Sequence, residues 1–240
     1  MKNILKIMLM MIAIFTIAGS AVYAAEIPVS DQDQLITSSD WTEISNLQDE
    51  MKKEEPDATI DYDKALKVYV DCNLIKLQTA DTKKLTSALE SANYVWVIPF
   101  KMEKTYGMFT VAKGLPLSEE AKSVLTKAEQ EEVKNHAGKW MITETAEHTV
   151  EPYYDILLEK REALSDCTRV VLVGSQPGMR QPVALGMDDE TARIWISLGY
   201  QYPVMEKIPE TQNVESGVYS FDSVAEISDT YIEDSEVSTG

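Results

Sequence analysis

Residues 94–113 read YVWVIPFKMEKTYGMFTVAK, and this stretch decides the fold class. Its first five residues are all aromatic or β-branched, its middle is polar, and residues 108–112 are again mostly apolar. The pattern predicts two antiparallel strands joined by a turn at residues 101–107. Because the first strand has five successive apolar side chains, we expect both of its faces to be buried.

A second group of strands is predicted between residues 168 and 200. Its three apolar runs are separated by stretches that contain Gly, Pro and acidic residues, which favours a three-stranded meander with strands at 170–173, 182–185 and 192–198. A further strand at 66–70 is indicated by alternation of apolar and polar side chains.

Amphipathic patterns with helical spacing occur between these strands, at residues 41–51, 82–92, 118–138 and 152–164. The sequence therefore predicts an α+β fold. We expect a mixed or antiparallel sheet, or two such sheets, built from hairpins and the three-stranded meander and covered by amphipathic helices.

The first 24 residues, MKNILKIMLMMIAIFTIAGSAVYA, have the layout of a secretory signal peptide. Lys2 and Lys6 precede an apolar run at residues 7–17, and Ala24 provides a small residue for cleavage. That run spans about 16 Å as a helix, whereas the hydrocarbon core of a membrane is about 30 Å thick. We expect cleavage near Ala24 and secretion, with a membrane-tethered surface protein as the alternative if the segment is retained.

Composition divides the remaining chain into three parts. Residues 25–39 are polar and acidic and are predicted to form a flexible leader. Residues 40–208 carry the apolar patterns and form the α+β globular region, either as one unit or as subdomains at 40–138 and 139–208. Residues 209–240 are predicted to form an acidic and partly disordered tail.

The chain is strongly acidic, with 22 Lys and Arg against 40 Asp and Glu and a net charge of −18. Such a charge disfavours nucleic acid, since most of that affinity comes from cationic contacts to phosphate. The two cysteines, Cys72 and Cys167, are predicted to form one disulfide, as expected for an even number of cysteines outside the cytoplasm.

Residues 174–180, GSQPGMR, contain two glycines in a loop but satisfy no catalytic template. Met179 and Arg180 follow the second glycine where a phosphate-binding loop needs Lys and Ser or Thr, and Gln176 stands where a nucleophilic Ser would be. If this loop binds a ligand, Gln176 and Arg180 are the candidate donors to an anionic group. Tyr200 and Tyr202, at a strand end, are the candidate aromatic contacts.

No other set of residues indicates chemistry. His136 and His148 are the only histidines and lack the spacing of a zinc site, so we predict no metal, no cofactor and no catalytic residue. We expect a non-catalytic extracellular module that binds a protein, peptide or glycan. The alternative is an extracellular hydrolase that uses a carboxylate pair or Cys167.

Overall fold

One sheet organises the chain in the computed structural model, which describes residues 27–148, 150–174, 176–179, 181–200, 202, 204–209 and 213–228. The predicted signal peptide, its cleavage site and the end of the predicted tail lie outside these residues. Ten strands in the described part of the chain join the sheet. They are β1 (Thr59–Ile60), β2 (Leu66–Val70), β3 (Asn93–Lys101), β4 (Tyr106–Lys113), β5 (Trp140–His148), β6 (Arg169–Val173), β7 (Val183–Met187), β8 (Ala192–Ser197), β9 (Asn213–Glu215) and β10 (Val218–Ser220).

Seven α-helices accompany the sheet within the described residues. They are α1 (Trp41–Ile44), α2 (Gln48–Glu54), α3 (Thr82–Ser91), α4 (Glu119–Val124), α5 (Lys127–His136), α6 (Tyr153–Glu159) and α7 (221–228). None of them is both long enough and apolar enough to span a bilayer.

Two arrays of antiparallel strands, β1 to β5 and β6 to β10, meet at the centre of the sheet. The strand order is β5-β4-β3-β2-β6-β7-β8-β10-β9, and β1 pairs with β3. The pair β2 and β6 is parallel, with Val68 opposite Leu172, whereas the other pairs are antiparallel. The α+β fold with a mixed sheet is therefore confirmed, and the proposed division at residues 138 and 139 does not separate two sheets.

The predicted hairpin and the predicted meander are both present. Strands β3 and β4 pair from Val95 opposite Ala112 to Lys101 opposite Tyr106, and β6, β7 and β8 are consecutive neighbours. As expected, β3 is buried on both faces over residues 96–100.

The first face of the sheet carries Tyr69, Trp96 and Val171. The register pairs Tyr69 with Tyr94 and Lys67 with Trp96, so these side chains point to the same side. Two apolar clusters pack there. One, around Trp96 and Phe109, is covered by Ile44 of α1 and Met51 of α2, and the other is covered by α3 and α7.

The second face carries Val68, Val97 and Leu172, and it is covered unevenly. Tyr153 and Leu157 of α6, together with Leu164 and Cys167 after it, pack over the centre and the β7–β8 side. The outer part of β3, β4 and β5 has no such cover: Val95 and Thr110 are half-buried, and Glu144 is exposed.

The predicted disulfide between Cys72 and Cys167 is wrong, because both thiols are free and buried. Cys72 belongs to the cluster of Val171 and Leu185 on the first face, whereas Cys167 packs against Gly186 on the second face. The sheet lies between the two sulfur atoms, and a disulfide cannot cross it.

Part of the predicted leader is folded. Over residues 27–39, Ile27, Val29, Asp33 and Leu35 are buried. Val29 bridges to Val170 of β6, and Gln34 bridges to Leu66 of β2. The segment therefore packs against the starts of the two parallel strands through these long-range contacts.

Part of the predicted tail is folded as well. Strand β10 adds to β8 with Val218 opposite Ile196, and the Phe221 ring of α7 stacks on Trp195 with 5.7 Å between ring centroids. Residues 213–228 are mostly polar, but they fold onto the sheet because their few apolar side chains are buried. Val218 and Val224 are both 0% exposed.

The helix predicted over 118–138 is broken in two. Helix α4 ends at Val124, and α5 begins after Thr126. Thr126 and Glu129 form a capping box, in which the Thr126 side chain accepts from the Glu129 backbone amide and the Glu129 carboxylate accepts from the Thr126 backbone amide. This box starts a new helix in the middle of the apolar pattern.

Candidate functional site

A cavity of about 230 Å³ lies on the uncovered part of the second face. We call it the sheet-face cavity. Its floor is built from side chains of β2, β3 and β4 that point to the second face, namely Val68, Val70, Val95, Val97 and Met108. Since successive residues of a strand point to opposite faces, this floor follows from the same alternation that buries Trp96 and Phe109 on the first face.

Polar groups stand at the margin of the sheet-face cavity. Glu144 of β5 and Tyr153 of α6 both line it. The Glu144 carboxylate is exposed and makes no hydrogen bond or ion pair with the residues that the structure describes. Tyr153 is buried and its hydroxyl is hydrogen-bonded to Tyr200, and burial raises the pKa of Tyr153 well above the ordinary value for tyrosine. Among the described residues that line the cavity, Glu144 is therefore the one with a charged side chain.

The loop at residues 174–182 forms one wall of the cavity through Gly174, Gln181 and Pro182. Gln176 fixes the start of this loop: its side-chain amide donates to the carbonyl oxygens of Cys72 and Gly174 at 2.6 and 2.9 Å and accepts from the Leu74 amide at 3.0 Å. Tyr202 fixes the end, because its hydroxyl donates to the Pro182 carbonyl at 2.6 Å.

Two of the predicted ligand residues thus occupy supporting positions. Gln176 and Tyr202 are buried, and their polar atoms are bonded within the protein. Tyr200 is half-buried behind the cavity and bonded to Tyr153, while Arg180 lies outside the described residues. The structure places part of the predicted loop in the cavity wall, whereas Tyr200 and Tyr202 do not line the cavity and instead bond its lining residues Tyr153 and Pro182. Direct contact of the predicted residues with a ligand stays a prediction.

A second and larger space adjoins the first. A groove of about 710 Å³ runs between the helix pair α4–α5 and the ends of β4 and β5, and we call it the helix-pair groove. Its apolar lining includes Leu115, Leu117, Ala121, Leu125, Val133 and Met141. Thr143, which lines this groove, donates a hydrogen bond of 3.1 Å to the carbonyl of Thr110, which lines the sheet-face cavity. The two spaces are therefore neighbours on one surface.

The two cysteines are poorly suited to nucleophilic catalysis. Burial raises the pKa of Cys72 and of Cys167 to about 11, so both thiols are protonated near neutral pH. Within the described residues there is also no group of three or more His, Cys, Asp and Glu side chains that could hold a metal ion.

Sequence reasoning missed Glu144 as a surface group of a strand. Residues 144–148 belong to β5. In a strand, Glu144 points to the second face while Thr145 and Glu147 point to the first, where Thr145 bonds Glu54 of α2. The β-branched Thr143 and Thr145 that alternate with other residues were the available signal.

No family model, no curated protein and no solved structure matches this chain.

Proposed function

We propose that the chain is an exported, non-catalytic binding module that takes a basic side chain of a polypeptide partner into the sheet-face cavity. The observation that carries the proposal is the exposed Glu144 carboxylate, which has no partner within the described residues, beside a valine-lined floor. Such a site suits a Lys or Arg side chain, whose aliphatic stem packs on apolar surface while its cationic end meets a carboxylate.

The size of the cavity supports a side chain as the occupant. Pockets for drug-sized ligands and cofactors have volumes of roughly 300–1,000 Å³. The sheet-face cavity, at about 230 Å³, is smaller than that range. The net charge of −18 acts in the same direction, because it attracts a cationic partner and repels nucleic acid.

Export is supported by the N-terminal pattern of Lys2 and Lys6 followed by the apolar run at 7–17. The hydrolase alternative loses support at Cys167, whose raised pKa leaves little thiolate. A hydrolase that uses a carboxylate pair stays the alternative, and binding at the sheet-face cavity is the function that we favour.

The test is selection from a displayed library of random peptides with the secreted protein as bait. We expect enrichment of peptides that carry Lys or Arg next to apolar residues. Glu144→Gln should weaken the selected peptides about 5-fold, since an exposed ion pair contributes up to about 1 kcal/mol. Glu147→Gln, on the same strand but the opposite face, is the control and should leave affinity unchanged. Enrichment of acidic peptides, or equal effects of the two variants, would refute the proposal.

A further inference from the structure

A third cavity, of about 460 Å³, lies on the first face of the sheet. It is at the end of β3, β4 and β5 that is far from the β3–β4 turn. Side chains from all three strands line it, together with the loop after β4: Tyr94, Lys113, Leu115, Pro116 and Trp140. We call it the Trp140 cavity. Its volume is within the range of roughly 300–1,000 Å³ that is typical of sites for small molecules.

Two aromatic rings form a wall of the Trp140 cavity. Because Lys113 pairs with Trp140 and side chains alternate along each strand, Tyr94, Lys113 and Trp140 all lie on the first face. The Tyr94 and Trp140 ring centroids are 5.8 Å apart and the ring planes meet at 48°. Leu115, which is 61% exposed, adds apolar surface at the mouth. Such walls suit a ligand with a ring or another compact apolar body.

Trp140 carries a hydrogen-bond donor that has no acceptor. Its side chain is buried, with the residue only 7% exposed, and its indole Nε1 has no hydrogen-bond partner among the described residues. The indole of Trp96, on the neighbouring part of the same face, instead donates to the Asp40 carboxylate at 3.0 Å. Since buried donors are normally satisfied, the missing acceptor points to a group that the described chain does not supply.

The charge in the Trp140 cavity is positive, in contrast to the chain as a whole. Lys113 is the lining residue with a charged side chain. Its ammonium lies 5.4 Å from the centroid of the Trp140 ring and forms no ion pair with an acidic residue in the described part of the chain. The lining residue Asn93 donates to the Asp71 carboxylate at 3.1 Å, which occupies that acid. The cavity thus offers one cation and one N–H donor, and both suit a carboxylate.

We infer that the Trp140 cavity binds a small organic acid, whose apolar body packs on Tyr94 and Trp140 and whose carboxylate pairs with Lys113 and accepts from the Trp140 indole N–H. A monoanion is the better match than a phosphate ester, because one cation would face two negative charges on a chain with a net charge of −18. The site shares no residue with the sheet-face cavity, so the inference goes beyond the proposed function and does not rest on it.

The experiment titrates the secreted, ¹⁵N-labelled protein with phenylacetate, neutral phenylacetamide and cationic phenethylammonium. The four tryptophans give four indole N–H resonances, and Trp140→Phe, or sequential assignment if that variant does not fold, identifies the one from Trp140. Phenylacetate should shift this resonance to saturation with a Kd of about 1 mM or tighter. It should bind about 5-fold more tightly than phenylacetamide, as expected for an exposed ion pair. No saturation up to about 10 mM would overturn the site, and equal or tighter binding of phenethylammonium would overturn the carboxylate.

Variants at exposed positions test the cation without disturbing the core. Lys113→Met should weaken phenylacetate about 5-fold and leave phenylacetamide unchanged. Lys139→Met is the matched control, since Lys139 is an exposed neighbour of Trp140 that does not line the cavity. Equal losses in the two variants would overturn the role of Lys113. Glu144→Gln, the variant that tests the proposed function, should leave phenylacetate binding unchanged, so the failure of one site is distinguished from the failure of the other.

Discussion

The Asp33 carboxylate accepts a hydrogen bond of 3.0 Å from the Arg169 guanidinium, which is 136 positions further along the chain. Asp33 is only 2% exposed and also accepts from the Tyr69 hydroxyl at 2.7 Å, while the Lys67 ammonium lies 3.9 Å away. Lys67 belongs to β2 and Arg169 to β6. One buried carboxylate therefore pairs with two cations at the junction of the two antiparallel arrays.

Asp33→Asn should destabilise the protein by about 3–5 kcal/mol. The change leaves two largely buried cations without their counter-charge, and breaking a buried ion pair from one side carries a cost of this size. Urea unfolding followed by tryptophan fluorescence measures the effect. Asp31→Asn, an exposed position of the same short helical turn, is the control and should change stability by less than about 0.5 kcal/mol. Equal stability of the two variants would contradict the role of Asp33.

Removal of residues 25–35 should destabilise the fold, most strongly around β2 and β6, relative to the chain that begins at residue 25. The segment supplies the bridges from Val29 to β6 and from Gln34 to β2, and it buries Leu35. Hydrogen exchange should show loss of protection first in β2 and β6, since their starts would become unpaired. A truncated protein with unchanged protection in both strands would refute this prediction.

Local patterns and long-range contacts explain what could be predicted from the sequence. The β3–β4 hairpin is encoded within 20 residues by aromatic and β-branched side chains, so it could be read directly. Asp33 could not be recognised, because an acidic residue in a polar segment looks the same whether it is solvated or paired with Arg169. Its partner is visible only once the parallel pairing of β2 and β6 is known.

The candidate site was only partly predictable for the same reason. The loop at 174–180 and Tyr200 were singled out by turn residues and by their position at a strand end. The cavity beside them is completed by Glu144 of β5, a strand that pairs with β4 rather than with β6 or β7. A bulge at Thr143 of β5, opposite Thr110 and Val111 of β4, also shifts the register between these strands, and that shift has no local signature.

Gly107→Ala should destabilise the protein by about 2 kcal/mol. Gly107 pairs with Phe100, and a Cβ atom at this position would lie 2.1 Å from the Phe100 Cζ atom. Phe100 is 1% exposed and packs on Phe109 at 4.6 Å between ring centroids, so it has little room to move. Forced overpacking of this kind typically costs about 1–3 kcal/mol.

A matched glycine provides the control for that measurement. A Cβ atom at Gly174 would meet its nearest neighbour, the Val70 Cγ1 atom, at 3.6 Å, which is an ordinary contact. Gly174→Ala should therefore leave the thermal midpoint nearly unchanged while Gly107→Ala lowers it. If both variants have the same thermal midpoint as the wild type, the Phe100 ring can move aside without a measurable loss of stability, and the prediction is wrong.

Stability should fall between pH 9 and pH 11 because of the two buried thiols. Burial raises the pKa of Cys72 and of Cys167 from the ordinary 9.0 to about 11. In that window the unfolded chain has lost these protons and the folded chain retains them, so unfolding becomes more favourable as the pH rises. The contribution of the two protonated thiols to the free energy of unfolding is complete below pH 9 and is lost as the pH rises through 11.

The size of this effect can be separated from that of the tyrosines. Tyr69, Tyr94, Tyr153 and Tyr202 also have raised pKa values, but their unfolded-state pKa is near 10, so each contributes less than a thiol between pH 9 and pH 10. Between pH 9 and pH 10 the two thiols together should lower the free energy of unfolding by about 2 kcal/mol. Urea titrations of the wild type and of Cys72→Ala/Cys167→Ala at both pH values provide the measurement. The double variant starts from a lower stability and should lose about 2 kcal/mol less of it than the wild type over this interval. An equal loss in both proteins would show that the thiols are not the groups that titrate.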